Sequence, residues 1–159
     1  MKITILCVGK VKEKFYRDAI DEFTKRLSRY CKLDIVEVAD EKTNEDSSET
    51  EIRIIKEKEG ERLLKNLKED AYVVCLCIDG KSMNSEELSK TMENIGVLGT
   101  SHICFVIGGS LGLSDAVVKR ANLKLSFSKM TFPHQLMRVI LLEQVYRAYR
   151  IMNKEPYHK

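Results

Sequence analysis

Two runs in this 159-residue chain, Tyr72–Ile78 and His102–Ile107, are apolar at almost every position. A strand with one wet face alternates apolar and polar residues, so runs of this kind suit strands covered on both faces. A sheet with helices above and below it follows, and no other feature constrains the fold as tightly. Lys2–Val8 adds a β-branched strand, and Asp34–Val38 and Leu123–Ser126 add two shorter ones. Helical patterns separate them. Lys12–Tyr30 places Phe15, Ala19, Ile20, Phe23 and Leu27 at helical spacing. A charged surface helix spans about Thr50–Asn66, its inner face tracked by Ile52, Ile55, Glu59, Leu63 and Leu67. Asp79-Gly80 reads as the turn that ends its strand. Ser85 and Ser114 read as caps of two short helices, and Pro133 as the first residue of a last helix reaching about Met152. Strands alternating with helices predict one α/β domain over 1–159, a mainly parallel sheet flanked by helices.

Hydrophobic residues make up 43% and charged residues 32%, enough apolar material for one core. No apolar run approaches the roughly 20 residues that cross a bilayer, and the first strand lacks the pattern of a signal peptide. A cytoplasmic protein with no membrane partner is the expectation. Four of the five cysteines (Cys7, Cys75, Cys77 and Cys104) fall in strand-like runs, and Cys31 follows a helix. Their odd number and irregular spacing read as buried reduced thiols rather than a disulfide frame, and no second Cys or His pair supplies a metal site. Net charge is only +3, yet Leu111 to Lys159 holds nine Lys/Arg against three Asp/Glu. Asp34 to Glu51 holds eight acids and one lysine. A basic C-terminal third suits a polyanion, although an unevenly charged surface reads the same way.

Three segments carry candidate chemistry. Gly108-Gly109-Ser110-Leu111-Gly112 follows a buried strand. Glycines there let backbone amides approach a ligand beyond the strand ends, as a plain tight turn also would. The spacing matches neither G-x-G-x-x-G nor the phosphate loop. Ser126 to Gln135 offers two aromatics, a methionine and hydroxyls, a mostly apolar wall with few polar contacts. His134 sits in the first turn of the last helix, whose dipole favours its neutral form. The tail Pro156-Tyr157-His158-Lys159 combines groups that stack, exchange protons and pair with phosphate, in a position where composition alone favours disorder. Hydrolase and metalloprotease signatures are absent. The last helix is apolar nearly all round, through Leu136, Val139, Ile140, Leu141, Leu142, Val145, Tyr146 and Tyr149. One sheet face cannot bury so wide a stripe, so a twin subunit is expected ahead of an overcrowded internal core.

Several motifs together resemble one family. They are Val8-Gly9-Lys10, Phe105-Val106-Ile107-Gly108-Gly109, Leu125 to Gln135, Glu143-Gln144-Val145-Tyr146-Arg147-Ala148 and Pro156 to Lys159. From the first strand to the last residue the chain resembles the ribosomal RNA large subunit methyltransferase H family. The resemblance implies a SPOUT-type fold, in which a C-terminal segment threads a loop into a deep trefoil knot that holds S-adenosylmethionine. It implies a homodimer with the last helix at the interface. It also implies methylation at N3 of a pseudouridine in 23S rRNA, on the assembled 70S ribosome. Cofactor contacts carry over to Leu76, Gly108, Phe127, Ser128, Lys129, Met130, Thr131 and Phe132, with Gly109 joining them from the glycine turn. His134 and His158 are the candidates for proton transfer or base contact, Arg138 and Lys159 for phosphate, and Tyr157 for stacking on a base flipped out of its helix. A SPOUT methyltransferase of transfer RNA and a non-catalytic RNA-binding module are the rival expectations.

Overall fold

The computed structural model describes residues 1–159. Ten elements alternate strictly: β1 (Lys2–Val8), α1 (Lys14–Leu27), β2 (Lys32–Val38), α2 (Glu49–Leu64), β3 (Tyr72–Ser82), α3 (Ser85–Val97), β4 (His102–Ile107), α4 (Asp115–Arg120), β5 (Leu123–Ser126) and α5 (His134–Met152). The strands form one parallel sheet in the order β2-β1-β4-β3-β5. Parallel strands need covered faces, and two apolar clusters supply the cover. Ile3, Ile5 and Cys7 of β1 join the cluster that holds Leu141, Leu142, Val145 and Tyr149 of α5. Leu6 and Val8, pointing the other way, join the cluster with Leu63 of α2 and Val117 of α4. Helices α1, α3 and α5 therefore cover one face, and α2 and α4 the other.

Several local expectations shift. Strand β3 does not end at Asp79-Gly80 but continues to Ser82. Leu76 and Lys81 both lie opposite Leu125 of β5, so residues 77–80 leave the ladder and rejoin it. The turn residues are real, but they make a bulge inside a strand. Asn84, not Ser85, caps α3, in a full capping box with Glu87. Ser85 instead donates its hydroxyl to Gln144 of α5 at 2.6 Å. Pro133 occupies the cap of α5, and His134 is its first helical residue. Phe15 is not on the buried stripe of α1. It lies exposed, its ring tilted by 50° against that of Tyr16, while Ile20, Phe23 and Leu27 reach the core.

The tail is ordered, against what composition favours. Glu155 accepts from Tyr30 at 3.0 Å and Arg150 at 2.9 Å, and the Pro156 carbonyl accepts from Arg150 at 2.9 Å. All five cysteines are free, and three of them are fully buried. Burial pushes the thiols of Cys7, Cys75 and Cys104 up to about 12, so they remain protonated. No group of three or more His, Cys, Asp or Glu side chains is placed to hold a metal ion. No helix is long and apolar enough to cross a membrane.

The tightest approach in the sheet is at Gly80. A Cβ there would lie 2.8 Å from the carbonyl carbon and oxygen of Lys124, backbone that cannot step aside. Gly80→Ala is expected to lower stability by about 1–3 kcal/mol, read as a lower urea midpoint with unchanged slope.

Candidate active site at the carboxyl ends of β4, β3 and β5

Three neighbouring strands of a parallel sheet carry their following segments to one end. Leu76 lies on the central one, β3. Gly108 follows β4 on one side, and residues 127–132 follow β5 on the other. The sheet thus assembles the three separate parts of the expected cofactor site. The glycine turn folds back on itself, and a Cβ on Gly108 would meet the Gly112 backbone at 2.9 Å. Gly112 has φ +90, a conformation glycine adopts freely, and nothing stands within 4 Å of where its Cβ would be. In the second loop the Ser126 hydroxyl lies 2.9 Å from the Ile78 carbonyl and 3.1 Å from that of Ser128, which ties the β5 exit to the bulge of β3. The Met130 amide donates to the Ser128 hydroxyl at 3.0 Å, and the Met130 side chain is 74% exposed. Lys129 and Thr131 are exposed beside it, while Phe127, Ser128 and Phe132 are half-buried.

A cleft of about 380 Å³ opens beside β5 and the start of α3. Met83, Leu125, Phe127, Gln144 and His158 line it, so the tail returns to the same region. The imidazole Nδ1 of His158 lies 3.1 Å from the Arg147 guanidinium. Arginine only donates, so Nδ1 accepts and the ring proton is on Nε2. Nε2 faces Glu86 at 3.4 Å, on a side chain exposed enough to yield its place. Arg147 is held in turn by Glu143 at 3.1 Å, which raises its affinity for the proton.

Two expected roles change. Tyr157 is not presented for stacking on a base: the Arg147 guanidinium lies 4.6 Å from its ring centroid, and the ring meets Tyr146 edge-on at 5.0 Å. Its hydroxyl donates to Glu143 at 3.3 Å, and burial with the Glu143 charge pushes its pKa up. Tyr157 therefore braces the tail. Arg138 is not a phosphate contact. It is 2% exposed and donates to Glu37 and to the carbonyls of Val8 and Gly9, tying α5 to the ends of β1 and β2. Lys159 is exposed.

The two histidines occupy different places. His134 does not line the cleft. Its ring packs beside Gly9, with Nδ1 buried and unpartnered. Burial, then the Arg138 charge, holds its pKa below the ordinary range against the opposing pull of Asp40 and Glu13. That direction favours the neutral form, as the sequence suggested, but its first cause is burial. Neither the Glu143–Arg147 pair nor Glu86 is marked as a neighbour of His158 by any local pattern. The i,i+4 spacing of the pair was its one local signal.

A model of the family described as "Predicted SPOUT methyltransferase" matches residues 1–158, and the chain belongs to that family. Similar curated proteins carry one name, ribosomal RNA large subunit methyltransferase H. Those from Clostridium botulinum (strain Eklund 17B), Clostridioides difficile and Bifidobacterium adolescentis are 62%, 61% and 64% identical, each over the whole of both chains. A methyltransferase of Legionella pneumophila, solved with bound SAM, is similar in fold. The TM-score is 0.50 at 12% identity, with 93% of this chain covered and 66% of that one.

The depressed pKa of His134 fixes a sign. A histidine whose folded pKa lies below its unfolded value of about 6.5 contributes stability above that value and loses it as pH falls. An NMR titration of the imidazole is expected to place the His134 midpoint below the ordinary histidine value of about 6.5; a midpoint above it contradicts the burial assignment.

Proposed function

We propose that this chain transfers the methyl group of S-adenosylmethionine to N3 of a pseudouridine in 23S rRNA, as a homodimer acting on the assembled 70S ribosome in the cytoplasm. The observation that carries the reading is the full-length identity to proteins named for large-subunit rRNA methylation. The convergence of Leu76, Gly108, Gly109 and residues 127–132 at one end of the sheet supports it.

The residues fit the cofactor. A close-folded glycine turn offers backbone amides without side-chain obstruction, and Leu76, Phe127, Met130 and Phe132 offer apolar surface for an adenosine. Ser128, Lys129 and Thr131 supply polar contacts at the rim. The threaded arrangement of the SPOUT class belongs to this proposal, with a C-terminal segment as the thread. S-adenosylmethionine supplies the methyl group as a sulfonium electrophile, so alignment provides much of the acceleration. His158, with its proton on Nε2, donates to a carbonyl oxygen of the splayed-out base. That bond stabilises the negative charge that gathers on the imide as the N3 proton leaves to water. The N3–C bond then forms as the sulfur–methyl bond breaks, releasing S-adenosylhomocysteine. Glu143, Arg147 and Tyr157 hold His158 in position.

Leu136, Val139 and Ile140 on α5 are half-buried and belong to neither apolar cluster. They form the dimer surface in this reading, and sedimentation is expected to give twice the 18.3 kDa chain mass.

Transfer of labelled methyl to unmodified 70S ribosomes, 50S subunits, free 23S rRNA and transfer RNA tests the whole reading. Label in the ribosome lane, at one pseudouridine, is expected. Label in transfer RNA alone replaces the substrate, and no label with no cofactor binding leaves an RNA-binding module. His158→Ala is expected to lower turnover by about 10²-fold while leaving cofactor affinity unchanged. Unaltered turnover removes His158 from the reaction.

A further inference from the structure

Glu59, on the inner face of α2, is the one fully buried carboxylate in the chain, 4% exposed. No lysine or arginine pairs with it. One oxygen, Oε2, accepts the Glu41 backbone N–H at 3.0 Å. The other, Oε1, is buried and has no partner. Leaving a buried acceptor unpaired is costly, and such atoms are rare enough to call for a reason. The neighbour across the gap supplies one. A Cβ built on Gly109 would lie 3.2 Å from Oε1 and 3.4 Å from Oε2, so the carboxylate lies directly against the glycine turn after β4. The side chain of Val8, at the tip of β1, closes the same space at 3.2 Å.

We propose that Glu59 is a positioning residue for the cofactor loop, its free oxygen receiving a backbone N–H of the Gly109–Ser110 segment when ligand binding seats the turn. The inference rests on the proposed function, since it gives the turn a ligand to hold. A carboxylate accepts two amides at once, Glu41 on one oxygen and the turn on the other, which is why a glutamate suits the position and a glutamine does not. Gln has one acceptor oxygen, so one of the two amides would face its NH2 group. The charges around Glu59 are Asp40 and Glu41, which repel it, and Arg62, already engaged by Glu41 and the Ala39 carbonyl. Burial, reinforced by Asp40, raises the Glu59 pKa. A carboxyl with a raised folded pKa favours the fold below its unfolded value and weakens it as pH rises through the folded one.

The proposal therefore gives Glu59→Gln two effects of opposite sign. Stability at neutral pH is expected to hold or rise, because a buried unpaired charge is removed. Affinity for S-adenosylhomocysteine, measured by calorimetry on the full-length chain, is expected to fall by about tenfold or more, the worth of a hydrogen bond to a charged group. A merely structural glutamate would lose stability and affinity together, and that result overturns the proposal, as does unchanged affinity in a stable variant. If Glu59→Gln does not fold, amide NMR of the unaltered protein decides. A downfield move of the Gly109 or Ser110 N–H on adding S-adenosylhomocysteine is expected, and unmoved resonances overturn the proposal. If the unaltered protein binds no S-adenosylhomocysteine, the proposed function fails first.

Discussion

Leu125 faces β3 twice, opposite Leu76 and again opposite Lys81. The bulge between those partners brings Gly80 onto the backbone of β5 and lets Ser126 reach the Ile78 carbonyl. Everything at the working end of the molecule follows from that double grip. β5 is only four residues long, and a strand so short at the edge of a sheet is weakly held by one ladder alone. Held on both sides of the bulge, it delivers residues 127–132 to a fixed place beside Leu76. With β4 on the other side of β3, the glycine turn arrives at the same end. Three chain segments then reach the same end of one sheet.

Helix α5 links this end to the rest of the chain. At its start, Arg138 fastens it to the tips of β1 and β2 through Glu37 and the carbonyls of Val8 and Gly9. In its middle, Gln144 meets Ser85, and Glu143 and Arg147 receive the returning tail. At its far end, Arg150 and Tyr30 hold Glu155. One helix thus sets the position of His134 at the tip of β1 and of His158 at the cleft, and keeps the two imidazoles apart. That separation leaves one imidazole buried beside Gly9 at the strand ends and the other on the wall of the cleft.

The architecture was legible in the sequence because it rests on local signals. Continuous apolar runs marked the buried strands, and 3.6-residue spacing marked the helices. The class was legible through long ordered motifs, above all Leu125 to Gln135. What the sequence concealed was pairing between distant residues. Asp79-Gly80 carries turn chemistry whether the turn ends a strand or bulges within one, and only β5 decides between them. Arg138 reads as a free cation until Glu37, about a hundred residues earlier, comes to meet it. The tail reads as disordered until Tyr30 and Arg150 capture Glu155. Spacing alone puts Glu59 on the inner face of its helix, but nothing local shows what that carboxylate meets, because Gly109 and Val8 are far away in sequence.

The central claim is that three segments at the carboxyl ends of β4, β3 and β5 form one cofactor site. Hydrogen–deuterium exchange of the full-length chain, with and without S-adenosylhomocysteine, tests it directly. The account predicts added protection in the segments around Leu76, in 108–112 and in 127–132 together, with the α2–α4 face unchanged. Protection confined to one of the three, or centred on the α2–α4 face, would contradict it.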